Sequence, residues 1–133
     1  MINDEVKTRV RYGETDQMGV VYHSNYLLYF ELGRTEFMRA RGCAYSSLER
    51  TGFYLAIVDA KISFRASAQY DDEITVRTRL EGCSRVRVTF HYEVRKTHGD
   101  VLLAEGTTTL ACVDKKSKIT KLPPEVIAAL KKQ

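Results

Sequence analysis

Hydrophobic and polar residues alternate through residues 5 to 12, with Val6, Thr8, Val10 and Tyr12 on one side and Glu5, Lys7, Arg9 and Arg11 on the other. This is the period of a strand with one buried face, and Gly13 ends it. From Asn25 to about Arg41 the period becomes helical. Tyr26, Tyr29, Phe30, Gly33, Phe37 and Ala40 fall on one face at spacings of three and four, so that face belongs on a sheet. Glycine costs a helix about 1 kcal/mol relative to alanine, which predicts that Gly33 serves close approach to a strand. Gly42 reads as the stop signal. Glu31 and Arg34, three apart, predict a solvated ion pair.

Residues 43 to 55 are mixed, with a helical turn around Ser46 to Arg50 and a break at Gly52. Four runs of period two follow. The first buries Val58, Ala60, Ile62 and Phe64 and exposes Asp59, Lys61, Ser63 and Arg65. The second sets Ile74, Val76, Thr78 and Leu80 against Thr75, Arg77, Arg79 and Glu81. The third, from Arg85 to Lys96, turns Val86, Val88, Phe90, Tyr92 and Val94 inward, and a turn at His98 to Asp100 makes a hairpin with the fourth, Val101 to Val113. The fourth is apolar or small on both faces, which predicts a covered, central strand. A short KITKL strand and a terminal helix opened by Pro123 and Pro124 complete the pattern. One strand, one long helix and a run of antiparallel strands make an α+β fold in a single domain over residues 1–133. Such a chain supports one core but is small for an enclosed site, a wall that oligomerisation would supply.

Hydrophobic residues make up 44% and charged residues 29%, an ordinary globular profile. The net charge of +4 favours an anionic partner, but the arginines are spread over several strands. That spread does not indicate nucleic acid; a small phosphate-bearing ligand would use the same surface with fewer contacts. Cys43, Cys83 and Cys112 have no C-x-x-C spacing, so neither a disulfide framework nor a zinc site is expected, and the thiols read as reduced and cytoplasmic. No apolar run reaches signal-peptide or membrane-spanning length, so no membrane insertion is expected.

The candidate chemistry lies where the first strand gives way to the helix. Asp16 sits in a loop broken by Gly13 and Gly19, and the helix begins shortly after, at His23 to Asn25, with Ser24 or Asn25 available as N-cap. A carboxylate beside the unpaired N–H groups of a first helical turn, where a carbonyl oxygen would be polarised, suggests acyl transfer. An Asp that merely stabilises a turn accounts for the same pattern equally well. Glu14, at the strand end, reads as a solvated residue and a second carboxylate candidate. No serine lies in a nucleophile elbow, and no ligand cluster suggests a metal.

The run TDQMGVVYHSNYLLYFELGRTEF resembles the signature of hotdog-fold acyl-CoA thioesterases of the 4-hydroxybenzoyl-CoA thioesterase type, most closely the YbgC-like branch. Asp16, Gly19, Val20, Val21, Tyr22, His23, Asn25 and Tyr26 all stand at the family's spacing. The resemblance implies a hotdog fold, an antiparallel sheet wrapped around one long central helix. It implies hydrolysis of an acyl-CoA to a carboxylic acid and free coenzyme A, with no cofactor beyond the coenzyme A of the substrate. Asp16 would be nucleophile or general base, and the backbone N–H of His23 the oxyanion donor; since some hotdog enzymes carry the acid on their helix, Glu31 and Glu36 are the weaker alternatives. The His23 imidazole would orient Asp16, contact substrate or cap the helix. Gly19, Val20, Tyr22 and Tyr26 would surround the substrate, with core packing the commoner task for Tyr26. Ser84, Arg85 and Arg87, with Arg65 as a weaker candidate, would hold the coenzyme A phosphates. The resemblance further implies a homodimer with sites between subunits, paired again into a homotetramer. The rival readings are a thioesterase acting on acyl carrier protein, a non-catalytic acyl-CoA binding or scaffold protein, and, more weakly, a hydratase.

Overall fold

The computed structural model describes residues 4–132. The first strand, β1, spans Asp4–Arg9 and is shorter than its alternating pattern. Val10 is buried, but Tyr12 is 77% exposed, because Tyr12–Glu14 coils into a 3-10 turn. The Glu14 carboxylate closes that turn by accepting the Arg11 N–H at 2.9 Å. The chain therefore leaves the strand before Gly13.

Helix α1 spans Asn25–Ala40 and buries Tyr26, Tyr29, Phe30, Gly33, Phe37 and Met38. Ala40, expected on this face, is exposed; it opens on a groove of about 390 Å³ beside β1 that its side chain is too short to fill. Gly33 meets the sheet as its position demands. A Cβ there would stand 2.8 Å from Cγ1 of Val76 and closer still to Oγ1 of Thr78. The expected Glu31–Arg34 pair is replaced by Glu36–Arg39 at 3.2 Å, since Arg34 reaches toward the hydroxyl of Tyr92.

After α2, Tyr45–Arg50, come β2, Tyr54–Phe64; β3, Glu73–Cys83; β4, Arg87–Lys96; β5, Leu102–Val113; and α3, Pro124–Leu130. The residues expected as a KITKL strand make only a single bridge, Ile119 to Val113. The five strands form one antiparallel sheet in the order β1-β3-β4-β5-β2. The central strand is thus β4, and β5 is covered because it lies between β4 and β2, with Leu103, Ala104, Leu110, Ala111 and Cys112 buried. Helix α1 crosses β3 with β1 and β4 on either side. Phe30 stacks on Tyr92 with centroids 4.3 Å apart, and Phe37 meets Phe90 edge-on at 5.6 Å. This is the hotdog arrangement. The edge strand β2 departs from expectation: Val58 and Phe64 are about half exposed, together with Ile57, because no described residue covers that part of the sheet.

Candidate active site

Backbone hydrogen bonds make residues 15–21 a tight hairpin. Asp16 N–H donates to the Val20 carbonyl and Gly19 N–H donates to the Asp16 carbonyl, both at 2.9 Å, and Thr15 pairs with Val21. Gly19 sits at φ +79°, the left-handed region that favours glycine. One carboxylate oxygen of Asp16, Oδ1, accepts the Met18 N–H at 2.9 Å. Its other oxygen has no hydrogen-bond partner among the described residues. Asp16 thus stabilises its own turn and still presents a free oxygen. The hairpin docks on the β2–β3 connection through Val21 N–H to the Ala68 carbonyl and a bridge between Val20 and Gln69.

The entry to α1 leaves donors open. The N–H groups of Asn25, Tyr26 and Leu27 turn back onto the carbonyls of Tyr22, His23 and Ser24. Those of His23 and Ser24 have no partner among the described residues. Ser24 occupies the N-cap position without a side-chain capping bond, and the Asn25 amide is engaged elsewhere, donating to the Glu14 carbonyl at 2.8 Å. The open N–H groups combine with the helix dipole to favour an anionic oxygen at this point.

The His23 ring is exposed, 4.4 Å from the Tyr22 ring and 6.4 Å from that of Phe64, and makes no hydrogen bond to Asp16. Tyr22 is 46% exposed beside it. Tyr26 instead belongs to the core, its ring set edge-on between Tyr29 and Phe64, and burial raises its phenol pKa against the lowering effect of a backbone bond to Ala68. Phe64, not foreseen as part of this region, borders both His23 and Tyr26. Its place next to Arg65 at the end of an apolar run carries no signal in sequence.

Glu14 overturns its sequence reading. Its side chain is only 19% exposed, and Oε1 accepts the Tyr29 hydroxyl at 2.9 Å. Burial first, then this bond, raises the Tyr29 pKa. The available clue was Tyr29 itself, a hydroxyl on the buried helix face that required a partner. Glu31 and Glu36 lie about 9 and 16 Å along the helix from its first residue, at 1.5 Å per residue, and Glu36 is engaged with Arg39.

The residues expected to hold phosphates are not beside Asp16 in the same chain. The hairpin adjoins the start of β3, where Arg9 pairs with Glu73, whereas Ser84, Arg85 and Arg87 follow its far end. An 11-residue strand separates them, a length of about 35 Å. Ser84 Oγ accepts the Arg87 N–H at 3.0 Å and so shapes the turn. Arg85 and Arg87 are exposed with no carboxylate within 4 Å among the described residues. Arg65 is paired with Glu105 at 2.9 Å. Besides the groove beside β1, cavities of about 300 and 360 Å³ lie between α1, α2 and the β2–β5 pair and between α2 and α3. None of these three is lined by Asp16 or His23.

The sequence profile of the thioesterase-like superfamily matches residues 10–130. The chain belongs to that family. The acyl-CoA thioesterase YbgC of Haemophilus influenzae is 34% identical over 123 residues, covering 91% of this chain and 89% of its own length. The chloroplastic acyl-acyl carrier protein thioesterase ATL2 of Arabidopsis thaliana is 34% identical over 122 residues, 92% of this chain but 65% of the longer relative. Among solved structures, the DHNA-CoA thioesterase of Staphylococcus aureus superposes with a TM-score of 0.93 at 31% identity, covering 97% of this chain and 89% of that one. The matched span includes Asp16 and His23, and the superposed thioesterase shares the sheet-and-helix frame that presents them. Among the described residues no helix is long and apolar enough to cross a membrane, and no group of three or more His, Cys, Asp and Glu side chains is placed to hold a metal.

Proposed function

We propose that this chain hydrolyses the thioester of an acyl-CoA to a carboxylic acid and free coenzyme A. The observation that carries the reading is the free Asp16 carboxylate oxygen and the unpartnered N–H of His23, both held by one hydrogen-bonded hairpin and helix start. The thioester oxygen accepts from the His23 N–H, with the Ser24 N–H beside it, so the charge that develops on attack is met by preorganised donors. Asp16 either attacks the carbonyl carbon, giving an anhydride that water opens, or takes a proton from the water that attacks. In both routes the sulfur leaves as coenzyme A thiolate and is protonated. Gly19, Val20, Tyr22 and the His23 ring form the surface over which the acyl group enters.

A second copy of the chain completes the site in this reading. Antiparallel pairing of β2 with its symmetry mate sets the Tyr54 end of one chain against the Phe64 end of the other. The partner's basic turn, equivalent to Ser84, Arg85 and Arg87, then approaches the Asp16 end, where it can meet coenzyme A phosphates. Pairing such dimers gives the homotetramer. A carrier-protein thioester is the second reading, favoured by the likeness to ATL2.

The test is release of free thiol from short, medium and aromatic acyl-CoAs by the native protein, Asp16→Asn and Asp16→Ala. Native turnover with a loss of about 100-fold or more in both folded variants is expected. Equal activity in the variants overturns the assignment of Asp16. Turnover of acyl carrier protein thioesters alone supports the second reading, and acyl-CoA binding without turnover of either substrate marks a non-catalytic binding protein.

A further inference from the structure

Glu14 is where four segments meet. Its carbonyl accepts the Tyr22 N–H at 2.9 Å and the Asn25 side-chain amide at 2.8 Å, while its carboxylate accepts the Arg11 N–H and the Tyr29 hydroxyl, each at 2.9 Å. These bonds join the 3-10 turn before Asp16, the strand returning from the hairpin, the first residue of α1 and the second turn of α1. Between Glu14 and Tyr22 lies only the hairpin that carries Asp16; one residue beyond Tyr22 is His23.

We infer that Glu14, Asn25 and Tyr29 are positioning residues, a clasp that fixes the Asp16 carboxylate against the open N–H groups of His23 and Ser24. The clasp has a form that stability alone does not explain. The aromatic ring beside Tyr29 is that of Tyr26, edge-on at 5.6 Å, and a buried tyrosine costs desolvation unless its hydroxyl is used. The cation nearest the Glu14 carboxylate is Arg11, 3.8 Å away and 82% exposed, too solvated to neutralise it firmly. Neutral donors from separate segments hold the carboxylate instead, and each donor belongs to a segment bordering the hairpin or the helix start. Asn25 follows the same logic, since its amide leaves the helix end, where it could have capped, and ties that end to the backbone just before Asp16. Were this bond absent, the hairpin could tilt relative to the helix by an ångström or so, enough to separate a carboxylate from its oxyanion donors.

The inference rests on the thioesterase reading, so it is tested by two readouts, one independent of turnover. Steady-state kinetics on the best acyl-CoA and amide hydrogen exchange over residues 15–25 are measured for the native protein, Glu14→Ala, Glu14→Gln, Asn25→Ala and Tyr29→Phe. Glu14→Ala and Asn25→Ala should lower kcat by about 10- to 100-fold while KM stays within about threefold. Glu14→Gln keeps an acceptor oxygen and should recover most of the loss. Exchange at the Asp16, Gly19 and Tyr22 amides should quicken in the two alanine variants, while the β3 and β4 amides keep native protection. A kcat within twofold of native in both alanine variants, or a rise in KM with kcat unchanged, overturns the clasp. If the native protein turns over no thioester, the function fails and exchange alone judges the clasp: unchanged protection at those three amides overturns it. If Glu14→Ala does not fold, Asn25→Ala and Glu14→Gln carry the test.

Discussion

The two sides of the sheet are finished to different degrees. Under α1, the strands β3 and β4 are sealed: Ile74, Val76, Phe90, Tyr92 and Val94 are fully buried, and Gly33 lets the helix backbone settle onto β3. On the β2 side, Ile57, Val58 and Phe64 remain about half exposed on a strand with one unpaired edge. A long apolar edge strand left open invites pairing with another chain, which is the use proposed for it above. The candidate site stands between these regimes. Its acid and its open N–H groups are held by the finished side, while Phe64 and the His23 ring look toward the unfinished one. The difference teaches that the covered half is built to hold geometry, while the open half is the surface that the proposed pairing would use.

The largest effect should come from breaking the open half alone. Val58→Glu places a charge on the exposed edge, at the position where the β2–β5 register shifts. Light scattering should show a smaller assembly, and thioester turnover should fall about tenfold or more while circular dichroism stays native. A variant that keeps its native mass and activity would show that β2 is not the interface. Breaking the covered half should show the reverse signature. Gly33→Val drives side-chain atoms into Val76 and Thr78, and such overpacking costs about 1–3 kcal/mol. Gly33→Ala sharpens the test, because helix propensity alone predicts a gain of about 1 kcal/mol. A lower melting temperature for Gly33→Ala is the expected result, and a higher one would mean the helix can lift off β3 at little cost.

Most of the covered half was legible in the sequence, because it obeys periodicity. The alternation of β3 and β4, the helical stripe with Gly33 in its middle and the hairpin at His98 to Asp100 all stand where the pattern puts them. The errors fall where a local bond or an uncovered sheet edge outranks the period. Tyr12 continues an alternation that the Glu14 carboxylate has already ended by capping a turn, and Val58 and Phe64 match an inward pattern for which one chain supplies no inside. At the site, Asp16 and the helix start were readable from the glycines and the family signature. The Glu14 clasp was not, since its bonds link residues up to fifteen apart through a carbonyl, an amide and a hydroxyl, and no spacing rule encodes such a meeting.

The smallest expected effect compares one tyrosine from each half. Burial raises the phenol pKa of Tyr92 on β4, although bonds from Thr108 and Arg34 oppose the rise, and it raises that of Tyr45 on α2, whose hydroxyl accepts the Leu55 N–H at 3.1 Å. Below the unfolded value of 10.0, both folded and unfolded chains keep these protons and the stabilisation is complete. Above it the unfolded phenols ionise while the buried ones stay neutral. The unfolded state then binds fewer protons, and stability falls as pH rises through the interval between unfolded and folded pKa, by at most about 1.4 kcal/mol per pH unit for each tyrosine. Tyr92→Phe should cost about 1 kcal/mol at neutral pH through its lost hydroxyl bond, yet lose less on going to pH 11, so its stability curve converges on the native one. Tyr45→Phe should converge less, because Tyr45 is only partly covered. Urea midpoints from pH 7 to 11 give both comparisons; a Tyr92→Phe curve parallel to the native one would mean that the covered half admits enough water to ionise its most buried phenol, and the contrast between the halves would lose its electrostatic part.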